Sequence, residues 1–232
     1  MLSAFSSYDR ANYRLVSDLP GNITKVRHNE VHEPSFSVGI LATRQIKKHW
    51  AFQTGVVYSR ISIGINPQKM FAINDQAGSI AFKYVTSSGY AYIKKGSASQ
   101  PSIGDSLITT EGKHQLQTLS IPLILKYSLG KNKFTIAPGA GIEASIITGG
   151  KVETEIKNSS HQESVFINKL AGARSFYWSF VADAEMRYLL KNKLSVSLRP
   201  AIKLAFSPIT ENNVVETFPY SFGVGIGLIQ RF

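Results

Sequence analysis

The chain of 232 residues contains no cysteine. Disulfides and thiolate metal ligands are therefore excluded. It also lacks any run near the roughly 18 consecutive apolar residues of a membrane helix. The opening stretch, Met1 to Arg10, has no basic segment, apolar core and small-residue cleavage site of a secretory leader. Acidic residues are few: 15 Asp and Glu stand against 26 Lys and Arg, a formal charge of +11. That balance suits nucleic acid, anionic lipid or anionic glycan. No nucleic-acid motif is present, so lipid or glycan contact is favoured. No Pro/Ser-rich linker or shift of composition divides the chain, and one domain over residues 1–232 is expected.

What the chain does have is alternation with period two. The final stretch sets Phe218, Tyr220, Phe222, Val224, Ile226, Leu228, Gln230 and Phe232 on one face. Ser221, Gly223, Gly225, Gly227 and Arg231 occupy the other. Successive side chains of a strand point to opposite sides, so this is a strand signature. The same pattern runs from Phe36 to Ala42, Trp50 to Tyr58, Leu119 to Tyr127, Phe134 to Ile146, Phe176 to Tyr188 and Leu194 to Phe206. Each run approaches the roughly 9–11 residues that cross a bilayer at a tilt. A large apolar face opposite one of glycine, serine and charge suits lipid outside and a polar lumen inside. A soluble barrel would instead need a core for two different faces.

Short and long connections alternate. Gln45–His49, Gly130–Lys133 and Leu190–Lys193 read as tight turns. Asn66–His114, Gly149–Arg174 and Pro208–Thr217 read as long loops. Parity then requires a strand before Phe36, and Leu2 to about Leu15 is the one candidate, despite poor alternation. The expectation is an all-β, eight-stranded antiparallel up-and-down transmembrane β-barrel, since an open edge is untenable in lipid. Its first strand is expected to be cut into by the start of the chain, with an export signal upstream. Ile80–Ile93 reads as a hairpin around Thr86-Ser87-Ser88-Gly89, expected to extend the barrel wall above the membrane. Gly149–Asn168 reads as a further strand extension or a loop.

Aromatics fall in two groups, as expected where rings sit at headgroup level. Trp50, Tyr127, Phe134, Tyr188 and Phe232 lie towards the short-turn ends. Tyr58, Phe176, Trp178, Phe206 and Phe218 lie towards the long-loop ends. Lys126, Glu143, Asp183, Glu185, Arg187, Arg199 and Lys203 share the inward parity on adjacent strands. Opposite charges in a narrow lumen should pair. The expectation is a salt-bridge network filling an interior just wide enough for side chains. The alternative is a narrow ion pore.

These residues carry a family likeness. Leu119-Ser-Ile-Pro-Leu-Ile-Leu-Lys-Tyr127, a short turn, and Pro138-Gly-Ala-Gly-Ile142 resemble the outer-membrane β-barrel domain family common in Bacteroidota, the PorT-like, small OmpA/OmpX-like barrels. Trp50-x-Phe-x-Thr-Gly-Val-Val-Tyr58 and the terminal Tyr220-Ser-Phe-Gly-Val-Gly and Arg231-Phe232 fit it too. The likeness spans about Pro34 to Phe232. It implies the bacterial outer membrane, short turns in the periplasm and no catalytic residue. It also implies recognition of the C-terminal strand by barrel-assembly machinery, although Gln230 replaces the hydrophobic residue expected third from the end.

Other chemistries are weaker. Asp183 and Glu185 could act as paired acid/base carboxylates, but Arg199 and Lys203 on the next strand favour the ion-pair network. His28, Glu30 and His32 would share one face of an extended segment and could ligate Zn²⁺. A polar loop or strand start is the simpler reading. A serine nucleophile beside His49, His114 or His161 would make a lipid hydrolase, yet no serine is convincingly placed. Loop lysines (Lys69, Lys83, Lys94, Lys95, Lys113) could meet lipopolysaccharide phosphates. Turn lysines (Lys47, Lys48, Lys131, Lys133, Lys191, Lys193) would meet inner-leaflet headgroups or periplasmic partners. The expected function is a non-enzymatic structural or interaction role, without metal or cofactor. The expected partners are outer-membrane lipid and lipopolysaccharide, the assembly machinery, and an unidentified protein. A narrow pore and a lipid-modifying enzyme are the alternatives.

Overall fold

The structure is a computed structural model that describes residues 1–18, 20–75, 78–93, 101–130, 133–157, 162–167, 170–211 and 215–232. Its elements in chain order are β1 (Leu2–Val16), α1 (Pro20–Asn29), β2 (Glu30–His32), β3 (Pro34–Gln45), β4 (Trp50–Ile65), β5 (Lys69–Asn74) and β6 (Ile80–Thr86). There follow β7 (Gly89–Ile93), β8 (Ser106–Thr109), β9 (Gly112–Tyr127), β10 (Phe134–Lys157), β11 (Gln162–Ile167), β12 (Phe176–Lys191), β13 (Leu194–Ala205) and β14 (Glu216–Gln230).

Eight of these strands close a barrel in the order β1-β3-β4-β9-β10-β12-β13-β14, every neighbour antiparallel. Closure comes from β14 pairing back onto β1, from Leu2 opposite Gln230 to Val16 opposite Glu216. The weakly alternating first segment is therefore a barrel strand, paired with β14 and β3. The outward face is a band of bare apolar side chains, with Phe222 57% and Ile226 65% exposed. A continuous belt of this kind is a lipid-facing surface, and the chain is a transmembrane β-barrel.

One end carries the short turns. The other builds a cap that the alternation alone does not describe. There β10 runs on past the membrane band to Lys157 and pairs with β11 and β8. A bulge between Ile147 and Gly149 adds one residue against β9. It switches the buried parity of β10 from Glu143 and Ser145 to Val152, Thr154 and Ile156. Strand β8 pairs with β5, β5 with β6, and β6 with β7. The cap has its own apolar core of Ile65, Met70, Phe82, Tyr84, Leu107 and Val152 with their neighbours.

Two features depart from expectation. The hairpin β6–β7 forms where the sequence placed it, but it does not simply lengthen the wall. Its tip folds inward, leaving Ser87 2% and Ser88 1% exposed. The segment after β1 also holds a helix, α1, which begins with proline, a residue preorganised for a first helical turn. Ten residues with little apolar periodicity leave almost no helical signal in the sequence.

Candidate functional site: a filled lumen under a folded cap

The inward parity brings the seven expected charges into one interior. Lys126, 0% exposed, sits at the centre. Its Nζ donates to Glu185 Oε2 at 2.7 Å and lies 3.2 Å from Asp183 Oδ1. Arg187 donates to the same Glu185 oxygen at 2.9 Å, and Arg199 Nε donates to Asp183 Oδ2 at 2.5 Å. Further along, Lys203 donates to Glu143 Oε1 at 2.8 Å. Asp183 and Glu185 are each bound by two cations, the geometry of a structural network.

The sequence reading missed one member. Asp9 on β1 accepts from Ser7 Oγ at 3.1 Å and from Ser37 Oγ. It lines the same small cavity as Glu143, Arg199 and Lys203. With it the network sets Lys126, Arg187, Arg199 and Lys203 against Asp9, Glu143, Asp183 and Glu185, four cations to four acids, while Arg231 shares the inward parity just past the end of β14. Charge balance matters because an unpaired ion in a narrow interior costs several kcal/mol, on the order of its desolvation penalty. The odd number of expected charges was the one signal that could have pointed to a missing acid.

Inward glycines are recesses for these long side chains. A Cβ on Gly139 would lie 2.8 Å from Lys126 Cγ and 3.0 Å from Asp183 Oδ1. A Cβ on Gly223 would collide with Asp9 Oδ1. Glycine on the inner face is therefore a packing requirement of the network.

Nearer the cap the lumen changes character. A polar interior was expected throughout, but Ala11, Tyr13, Ile61, Ile63, Leu116 and Tyr177 form an apolar layer. Tyr177 approaches Glu143, Ser145 and Thr118 on one side, and Tyr13 on the other. Tyr13 in turn reaches Ser87 and Ser88 at the hairpin tip. The tip is held by Glu30, whose Oε1 accepts from the Ser87 backbone N–H at 2.7 Å. Burial pushes the Glu30 carboxyl up to about 7, against the opposing hydrogen bonds from Ser87. A bridge between Tyr90 and Ala171 fixes the hairpin from outside, with N···O distances of 3.0 and 2.7 Å. Side chains thus fill the axis from the tip to Lys126. The cavities beside Asp9, Glu143 and Lys203 are about 40 and 30 Å³, room for a few waters each.

The ten expected girdle residues lie as follows. At the short-turn end Trp50 opposes Tyr127, their rings 5.0 Å apart, and Phe134 opposes Tyr188. Phe232 lies past the end of β14 and is 86% exposed. Towards the cap Phe176 and Trp178 contact edge to face at 5.2 Å, and Arg14 lies 4.5 Å over the Phe218 ring. Phe206 is exposed just beyond β13, and Tyr58 is half-buried on β4. All ten belong to the outward parity.

Among the described residues the histidines do not form the arrangements weighed from the sequence. His28 lies in the last turn of α1 while Glu30 and His32 belong to β2, so the three share no extended face. His114 is the third residue of β9 and 0% exposed. His49 packs against Tyr127, and its Nδ1 lies 3.1 Å from the Ser128 carbonyl. Lys113 pairs with Glu33 at 2.5 Å. His161, Lys94, Lys95 and Lys131 lie outside the described residues.

No family model and no curated protein matches the chain. Among solved structures it is similar to the Neisserial surface protein A, at 12% identity over 98% of this chain and 97% of that one, TM-score 0.38. It is also similar to the outer membrane protein OprG of Pseudomonas aeruginosa, at 10% identity over 99% and 96%, TM-score 0.42. A third is the outer membrane protease OmpT of Escherichia coli, at 12% identity over 86% and 63%, TM-score 0.41. The fold assignment rests on the closed strand order and the lipid-facing band, not on these likenesses.

Proposed function

We propose that this protein is an integral barrel of a bacterial outer membrane that conducts nothing steadily and acts as an interaction protein through its cap. The carrying observation is the filled axis. Ion pairs occupy the short-turn half, an apolar layer lies above them, and the hairpin tip closes the mouth. In this reading the short turns face the periplasm and the cap faces the outside water. The Leu119–Tyr127 and Pro138–Ile142 elements support kinship with the PorT-like barrels of Bacteroidota. Lipopolysaccharide and outer-membrane lipid surround the apolar band, and the assembly machinery reads β14 and Phe232. No enzymatic activity is assigned, since the carboxylates that could serve as acid and base are tied to cations.

Single-channel recording in planar bilayers tests this reading. A closed lumen gives only brief, small events, and a steady conductance in the purified protein would overturn it.

A further inference from the structure

The cap strands β5, β6 and β7 turn two unlike faces to their surroundings, as period two requires. Met70, Ala72, Tyr84 and Ala91 are buried towards the cap core. The opposite face presents Lys69, Phe71, Ile73, Lys83, Val85 and Tyr90, which line one open groove of about 610 Å³. Val26 and Asn29 of α1 and Val215 form further parts of its wall. A groove of this size falls in the range of small-molecule sites, about 300–1,000 Å³.

Its chemistry is one-sided. Among the described residues its lining contains two lysines and no Asp or Glu. Among the described residues neither lysine forms an ion pair. Each ammonium instead rests on a ring, Lys69 Nζ at 5.3 Å from the Phe71 centroid and Lys83 Nζ at 4.5 Å from that of Tyr90. Such contacts hold a cation in place but neutralise nothing. Beside them Phe71 is 53% and Val85 43% exposed. A face with two positioned, uncompensated ammonium groups and bare apolar side chains is complementary to a ligand with an acid group and an apolar body.

We propose that this groove binds a small soluble anion of that kind, a carboxylate, sulfate ester or phosphate ester on an aromatic or aliphatic frame. The acid group is held by Lys69 and Lys83, and the apolar body covers Phe71, Ile73 and Val85. The assignment rests on the reading of the cap as the water-facing binding surface. It is independent of whether the lumen conducts.

The test uses the full chain in nanodiscs of zwitterionic phospholipid, with trifluoromethylbenzoate as probe and fluorine NMR as readout. Saturable binding is expected. The double variant Lys69→Gln/Lys83→Gln should weaken it by about tenfold or more, since two charge-assisted contacts are lost. Lys69→Arg/Lys83→Arg should retain it, and Phe71→Ala should weaken it independently. Heat-modifiable gel migration confirms that each variant is folded. Equal binding by the Gln variant would overturn the proposal, as would equal binding of the neutral trifluoromethylbenzyl alcohol. Displacement of the probe by lipid A added to the bilayer would also overturn it, by assigning the groove to membrane headgroups. Labelling of whole cells with a membrane-impermeant amine reagent reports separately whether the cap faces outward. Lost binding with a labelled cap would therefore count against the groove alone.

Discussion

Replacing Lys126 by methionine should strongly destabilise the barrel. Methionine nearly matches the lysine stem in volume, so the cavity contribution is small. The charge is what changes. Lys126 is fully buried between Glu185 at 2.7 Å and Asp183 at 3.2 Å. Breaking a buried ion pair from one side costs about 3–5 kcal/mol. Here Arg187 still holds Glu185 and Arg199 still holds Asp183, which sets the expectation near the lower end, about 3 kcal/mol. At 1.36 kcal/mol per decade that is a shift of roughly a hundredfold in the folding equilibrium. Urea unfolding in lipid vesicles, followed through the fluorescence of the two tryptophans, would read it. The double variant Lys126→Met/Glu185→Gln restores equal numbers of buried cations and anions. It should be less destabilised than the sum of its single variants by about 1 kcal/mol or more. A Lys126→Met protein within about 0.5 kcal/mol of the parent, or strict additivity in the cycle, would refute a desolvated, charge-balanced network.

Three further outcomes follow from the same geometry. Gly139→Ala should cost about 1–3 kcal/mol, because its methyl group must push aside Lys126 and Asp183; the same urea titration reads it, and a neutral result would mean the lumen is loosely packed. Shortening the hairpin tip together with Arg187→Ala should leave the protein silent in planar bilayers, because the apolar layer and the pairs of Lys126, Arg199 and Lys203 still fill the axis; a steady conductance would show that these side chains do not suffice as a plug. The Glu30 carboxyl is raised to about 7 in the fold, so the native cap holds a proton there that the unfolded chain has released. The cap should therefore be more stable at acid pH and lose stability as pH rises from the ordinary carboxylate value towards 7. Protease nicking of the cap across that window should rise with pH in the parent and stay flat in Glu30→Gln; the opposite slope would remove Glu30 from the latch.

Strand identity, inward and outward parity, the short-turn end and the count of eight were all legible in the sequence. Each depends only on the backbone's two-residue repeat and on the cost of an unpaired edge in lipid. The alternation of β1 was faint because Ser6 and Ser7 fall on both parities and Tyr8 and Tyr13 on opposite ones. For that reason Asp9 was not recognised as a lumen charge. The inward tip of β6–β7 could not be read at all, since its seating depends on Glu30 and Ala171, far away in sequence.

The sequence by itself thus determined that this chain crosses a membrane as strands and, outside β1, which side chains look into the barrel. Period two is local, so every strand carries its own record of inside and outside. Only the tertiary structure decided which inward charges meet, that an apolar layer lies above them, and that two cap lysines share one uncompensated groove. Those facts depend on the stagger between strands and on how a long connection folds back. Both are fixed by contacts between residues distant in the chain, and no local pattern encodes them.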